Sequence, residues 1–195
     1  MKTKDQIPKI KYLITPLTDE TVAELRTGDN VRISGVVYTV RDASSRRLSD
    51  DIKAGRPPIE LAGDLIFYMG PTPARPGRVI GAAGPTTSAR LDRYVPELVD
   101  RGVKAFMGKG RRSIAARQAM MAGGTVYLVA VGGVGAFLSR HIGEAVVAAY
   151  PELGPEAVYR LVLEDFPAVV ADDIYGGDLF EQEWPKWTSS PKASS

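Results

Sequence analysis

The chain has no cysteine and a single histidine, His141, among 195 residues. Disulfides, thiol catalysis and thiolate-held metal clusters are therefore excluded for the chain itself. One histidine also argues against a His-rich metal site and against a Ser-His-Asp triad. Long hydrophobic runs are missing too. Glycine or charge interrupts every apolar stretch well short of a membrane span. The start, "MKTKDQIPKIKYLITP", carries Lys and Asp where a secretory leader has its apolar centre. The expectation is a cytoplasmic chain without a membrane segment. Charge of one sign is not in excess, because 25 Lys and Arg face 23 Asp and Glu, a net of +2. The basic residues are scattered apart from "GKGRR" at 108–112, and aromatics do not interleave with them. A nucleic-acid surface has no support in that pattern.

What is present fits a soluble globular domain: 44% hydrophobic and 25% charged residues. The length suits one domain over 1–184, followed by a polar tail over 185–195 that is expected to fray. "LTDETVAELRTGD" reads as a short helix capped by Thr18 and stopped by Gly28. "NVRISGVVYTV" reads as a strand with a bulge at Gly35. "ASSRRLSDDIKAG" reads as a helix with Leu48 and Ile52 on one face and Gly55 as its end. "DLIFYMG", "VKAFMG" and "TVYLVAVGG" read as buried strands, and "SIAARQAMMAGG" as a helix. "RVIG" is a candidate strand inside a Pro/Gly-rich connection. Pro96 predicts a kink or restart in the helical pattern after Thr87. "GAFLSRHIGEAVVAAY" is expected to be a helix, with "AVYRLVLEDFP" and "AVVADDIYGG" as two final strands. Strands and helices alternate, so the fold class is α/β with a partly parallel sheet.

Several of these strands run into glycine and a polar group: Arg41-Asp42, Pro85-Thr86-Thr87, Lys109-Gly110 and Val134-Gly135. In α/β sheets such strand ends are where ligands bind. Arg41, Arg90 and Lys109 with the hydroxyls of Thr86 and Thr87 make a cationic set suited to an anionic small molecule. A guanidinium fork matches a carboxylate or phosphate, and a lysine adds a compact charge. Each piece taken alone has a plainer reading. "GKG" serves equally as a turn with a solvated lysine. "GAAGPTTS" lacks the ending of a phosphate-binding P-loop, and Thr87 or Ser88 serves equally as a helix cap. His141 reads as a structural or exposed residue of a helix. Asp172-Asp173 reads as a solvated pair pointing to opposite faces.

The order "YTVRDASSRRL", "DLIFYMGP", "GPTTSARLDRY", "MGKG", "VYLVAVGGVGAFL", "EDFPAVVADDIYG" and a late "EW" resembles one family, from about Pro16 to Trp184. It is similar to the β subunit of class I fumarate hydratases and L(+)-tartrate dehydratases, a unit that also forms the C-terminal domain of single-chain class I fumarases. The resemblance implies a swivelling β/β/α domain, a mixed sheet with flanking helices. It implies a partner α subunit that holds a 4Fe–4S cluster, in keeping with the absence of cysteine here, and a dicarboxylate substrate. Carried over by position, Arg41, Arg90 and Lys109 would grip the carboxylates, Thr86 would hydrogen-bond the substrate, and Thr87 would be the catalytic base. The implied reaction is reversible hydration of fumarate to (S)-malate in a heteromer, with tartrate dehydration as the alternative. Ser45 departs from the family's usual Arg-Asp-Ala-Ala-His run by replacing its histidine. That departure leaves the preferred diacid open and motivates a second reading, a non-catalytic module that binds a dicarboxylate.

Overall fold

The computed structural model describes residues 9–188, so the leader reading of residues 1–8 and the tail over 189–195 lie outside it. Among the described residues, seven strands form one sheet in the order β1-β2-β3-β4-β5-β7-β6. The strands are β1 (Ile10–Ile14), β2 (Asn30–Val40), β3 (Leu65–Tyr68), β4 (Ala105–Gly108), β5 (Val126–Val129), β6 (Ile142–Ala149) and β7 (Val158–Asp172). β1 to β5 run parallel, and β7 lies antiparallel to β5, β6 and β2. Because β7 pairs with both β5 and β2, strands β2, β3, β4, β5 and β7 close into a barrel.

Closure creates two cores. Alternate residues of each strand point inward and outward. Ile33, Val37, Leu65, Phe67, Met107, Leu128, Leu163 and Phe166 belong to one buried cluster and fill the barrel. Ile66, Tyr68, Phe106 and Tyr127 belong to the other, where they meet the helices. Every residue of β3 and β4 is buried, which explains why both strands are continuously apolar in sequence. The helical layer comprises α2 (Asp42–Lys53), a 3₁₀ turn (Ser88–Tyr94) running into α3 (Val95–Asp100), and α4 (Ile114–Ala122). Leu48 and Ile52 of α2 are buried as their spacing predicts. Pro96 sits in the first turn of α3, so the expected interruption is a restart in which proline loses no hydrogen bond. The remaining helices are α1 (Asp19–Ala23), which Thr18 caps, α5 (Gly135–Leu138) and α6 (Leu179–Thr188).

Gly35 interrupts β2 where expected. Its φ of 110° suits glycine, and a Cβ there would stand 2.5 Å from Thr15 Oγ1. The pairing register of β2 with β7 shifts at this point. Opposite, Asp165 adopts a φ of 48° and its N–H donates to Ser34 Oγ at 3.0 Å. This irregularity lets β7 leave β6 and continue alongside β5.

Three expectations need correction. "GAFLSRHIGEAVVAAY" is not one helix: α5 and a 3₁₀ turn (Ser139–His141) lead directly into β6. Its Val146 and Val147 pair with Arg160 and Tyr159 of β7, and this tertiary pairing overrides the helical spacing. The two final strands are one, because Pro167 is accommodated within β7 opposite Arg32. "RVIG" forms no strand. Helix α6 runs through Thr188. Among the described residues, no helix is long and apolar enough to cross a membrane.

Candidate functional site

The parallel direction of β2, β3 and β4 brings their C-terminal ends to one edge. Arg41 follows β2, Gly70 follows β3, and Lys109 follows β4. The segment Pro85–Ser88 crosses this edge and is stitched to it. Met69 pairs with Pro85, and Thr87 pairs in parallel with Lys109. Thr86 N–H donates to Tyr68 O at 2.8 Å, Lys109 N–H to Thr86 O at 3.2 Å, and Ser88 N–H to Lys109 O at 3.1 Å. At about 4.8 Å between neighbouring strands, Arg41 and Lys109 stand roughly 10 Å apart at the backbone. Long side chains can close that span around a small anion.

The side chains complete the arrangement. Arg90 Nη2 donates to Thr86 Oγ1 at 2.8 Å and lies 3.3 Å from Asp42 Oδ2. A threonine hydroxyl that accepts from a guanidinium keeps its own O–H free to donate elsewhere. Thr87 occupies the cap position of the 3₁₀ turn, yet its side chain makes no capping hydrogen bond. Its exposed hydroxyl is therefore not committed to the helix. Ser88, the other candidate cap, is fully buried and its Oγ bonds Tyr127 Oη at 2.9 Å. Lys109 is exposed and makes no ion pair or side-chain hydrogen bond with the described residues. All five residues expected at the site thus share one edge. Arg90 touches Thr86 directly, and Thr87 and Lys109 are backbone partners.

Arg41 begins α2 and packs against Gly70. A Cβ on Gly70 would collide with Arg41 Cδ and come within 2.6 Å of Pro155 O. Arg41 Nε is buried and has no hydrogen-bond partner among the described residues. Four residues on, Ser45 is buried and its Oγ also lacks a hydrogen-bond partner.

Support from below escapes sequence reading. Tyr127 Oη also donates to Gly110 O at 3.0 Å, so one buried hydroxyl ties the Thr87–Ser88 segment to the Lys109–Gly110 loop. Burial pushes its phenol well above the usual tyrosine range and keeps it protonated. Arg112, with a fully buried side chain, lies 5.0 Å above the Tyr68 ring and 5.1 Å above the Tyr127 ring, and its Nε is 2.8 Å from Asp92 Oδ1. Nothing in "GKGRR" marks Arg112 as buried, because its aromatic partners lie on other strands.

The acidic pair is not solvated as expected. Asp172 and Asp173 are buried. Asp172 Oδ1 lies 3.1 Å from Arg117 Nε. Asp173 accepts hydrogen bonds from Thr27 N–H and Oγ1 and from Tyr175 and Gly177 N–H, all at 2.9 Å. His141 lies in the 3₁₀ turn, with Nδ1 2.9 Å from Glu164 O and its ring edge-on to Phe137, which is structural surroundings. Among the described residues no group of three His, Cys, Asp or Glu could hold a metal ion.

Comparison with known proteins gives one consistent picture. The family model described as fumarase C-terminus matches residues 2–183. A Geobacillus stearothermophilus protein provisionally named fumarate hydratase class I is 36% identical over 186 residues, 93% of this chain and 35% of that protein. The anaerobic fumarate hydratase class I of Escherichia coli is 37% identical over 153 residues, 77% of this chain and 28% of that protein. The chain thus spans about a third of the length of these fumarate hydratases. A Methanocaldococcus jannaschii protein provisionally named L(+)-tartrate dehydratase subunit beta is 32% identical over 180 residues, 89% of this chain and 92% of that protein.

Proposed function

We propose that this chain, which belongs to the fumarase C-terminal family, is the β subunit of a hydro-lyase that reversibly hydrates fumarate to (S)-malate. The observation that carries the reading is the gathering of Arg41, Thr86, Thr87, Arg90 and Lys109 on one sheet edge. Three cations there face two hydroxyls, a composition suited to a diacid and not to a neutral substrate.

The chain contributes no cysteine. In this proposal the chain works with a separate α subunit, as the subunit name and near-complete coverage of the tartrate dehydratase relative suggest, and that partner holds a 4Fe–4S cluster. The cluster, when bound by that partner, supplies Lewis acidity to the departing hydroxyl. This chain does the rest. Arg41, Arg90 and Lys109 hold the carboxylates, and Thr86, its lone pair engaged by Arg90, donates to the substrate. Thr87, as an alkoxide beside these cations, takes the proton from the carbon next to a carboxylate. The C–H electron pair becomes the new C=C bond as the C–O bond on the adjacent carbon breaks. The oxygen leaves as hydroxide and becomes water by taking up a proton, matched by the one Thr87 later releases to restore its alkoxide. Surrounding cations and exclusion of water make a threonine oxyanion accessible here. A β/β/α domain that swivels over the partner's site, in the cytoplasm, would provide that exclusion. The exposed Val131, Val134 and Phe137 follow β5 beside this edge and give the partner an apolar rim to bury.

Tartrate dehydration uses the same groups and is the second reading, favoured by the match to nearly the whole of a subunit with that name. Anaerobic co-expression with the cluster-bearing partner, followed by fumarate absorbance and a parallel tartrate assay, tests both. Turnover of fumarate is the expected result. A cluster-loaded complex that binds diacids and turns over neither would overturn the enzyme reading in favour of a non-catalytic module.

A further inference from the structure

We infer that Glu156 is the positioning residue for Arg41, acting from a loop that clamps α2. The inference rests on the proposed role of Arg41 and on contacts independent of it. Arg41 stands at the cap position of α2, where Ser, Thr, Asp or Asn normally accepts a hydrogen bond from the first turn. A guanidinium cannot accept. The missing acceptor comes from 113 residues downstream: Glu156 Oε2 accepts from Ala43 N–H at 2.8 Å. The other oxygen, Oε1, lies 3.6 Å from Arg41 Nη2. One carboxylate therefore caps the helix and holds the side chain that cannot cap it.

Glu156 can do this because its loop is fixed. The 3₁₀ segment Pro151–Glu156 joins β6 to β7. Tyr150, at a left-handed φ of 58°, donates from Oη to Asp51 Oδ2 at 2.8 Å. Arg47 of α2 pairs with Glu152 and lies 4.6 Å over the Tyr150 ring. A left-handed tyrosine is strained, and these contacts hold it. On the other side of Arg41 stands Gly70, where any Cβ would occupy the place of Arg41 Cδ. The guanidinium is thus held between Gly70 and the Pro155–Glu156 turn, with Nε unpaired. Fixing a ligand-binding side chain before the ligand arrives removes the entropy of ordering it from the binding step.

Glu156→Gln keeps the volume and an acceptor for Ala43 N–H, and removes the charge facing Arg41. In the complex with the partner, this variant should raise KM by roughly 3- to 10-fold with kcat within about two-fold, as expected for a partly exposed pair. Thermal stability should be near that of wild type, whereas Glu156→Ala, which also loses the cap, should lower it. Combined with Arg41→Lys, Glu156→Gln should add little further, because both changes act on one contact. An unchanged or lowered KM, or full additivity, overturns the inference. If the wild-type complex shows no turnover, the functional reading fails instead. The positioning is then read by NMR of the Arg41 Nε–H in this chain. A resonance that broadens in Glu156→Gln supports it, and one identical to wild type overturns it.

Discussion

Arg90 Nη2 reaches Thr86 Oγ1 at 2.8 Å while standing 3.3 Å from Asp42 Oδ2, so one guanidinium links the segment crossing the sheet edge to the first turn of α2. In the proposed reaction Arg90 both orients a hydroxyl and offers charge to a carboxylate. Arg90→Lys retains the charge and loses the planar fork. We expect a rise in KM of about ten-fold or more, since each 1.4 kcal/mol lost is tenfold. Thr86→Val should raise KM in the same direction, and the double variant should fall short of the product. Independent effects in steady-state kinetics would separate the two residues.

Thr87→Val should leave diacid binding within a few-fold and lower kcat by roughly 10²- to 10⁴-fold, the range for loss of a general base. Thr87→Ser, which keeps the hydroxyl, should recover most of that loss. Single-turnover proton exchange at the substrate carbon isolates the step. Full exchange in Thr87→Val would remove Thr87 as the base.

Tyr127→Phe deletes one buried hydroxyl and two hydrogen bonds, to Ser88 Oγ and Gly110 O. The neighbouring groups lose their partner in a site closed to water, a loss of about 1–3 kcal/mol. A lower denaturation midpoint should accompany a fall in kcat larger than its change in KM, because the Thr87 and Lys109 loops would keep their backbone pairing but lose the side-chain tie beneath it. Kinetics unchanged at full stability would show that the backbone pairing alone fixes these loops.

The stability contributed by Asp172 and Asp64 should fall as pH rises from about 4 to 6. Asp173 and Asp178 contribute in the opposite direction, because their carboxyls, despite burial, are held below the usual range by hydrogen bonds and, for Asp178, by Arg111 and Arg117. Burial is the main cause that lifts Asp172 from 3.8 to about 6, with Arg117 opposing it. Asp64 is lifted to about 6 by burial and by Glu60. In that window Asp172 and Asp64 hold protons in the folded state that the unfolded chain has released, so their contribution declines with pH until they ionise above about 6. Asp172→Asn removes its share, and its stability should decline less between pH 4 and 7 than wild type's, by about 1–2 kcal/mol. Denaturant titrations at the two pH values give the comparison, and parallel losses would place the effect elsewhere.

Val131→Asp combined with Val134→Asp should abolish co-purification with the cluster-bearing partner while leaving the melting temperature of this chain unchanged, since both side chains are exposed. Retained assembly would move the interface away from the rim after β5.

The parts of this molecule readable from sequence are those whose causes are local. Thr18 as a cap, Gly35 as a bulge, Leu48 and Ile52 as a buried face, and Pro96 as a restart each follow from a residue and its neighbours. The placement of the five proposed site residues at one edge follows as well, because strand ends in a parallel sheet converge whatever lies between them. Long-range partners were not. Glu156 meets Ala43 and Arg41, Tyr127 meets Ser88 and Gly110, and Arg112 lies against Tyr68, and none of these pairs leaves a mark on local spacing. β6 was misread for the same reason: its small and β-branched residues suit either structure until β7 supplies the pairing. The Asp172-Asp173 pair looked solvated because Arg117 and Thr27, which receive it, are distant in the chain.

The pairing of Asn30 with Val169 has a consequence for biosynthesis. A nascent chain that ends before residue 158 has no β7, so its barrel stays open and the turn bearing Glu156 has no strand to hold its far end. Loop closure over such a distance comes late in folding. The cap that Glu156 gives α2 is therefore completed only once β7 has been made, and a product truncated before it would emerge with Arg41 unaligned.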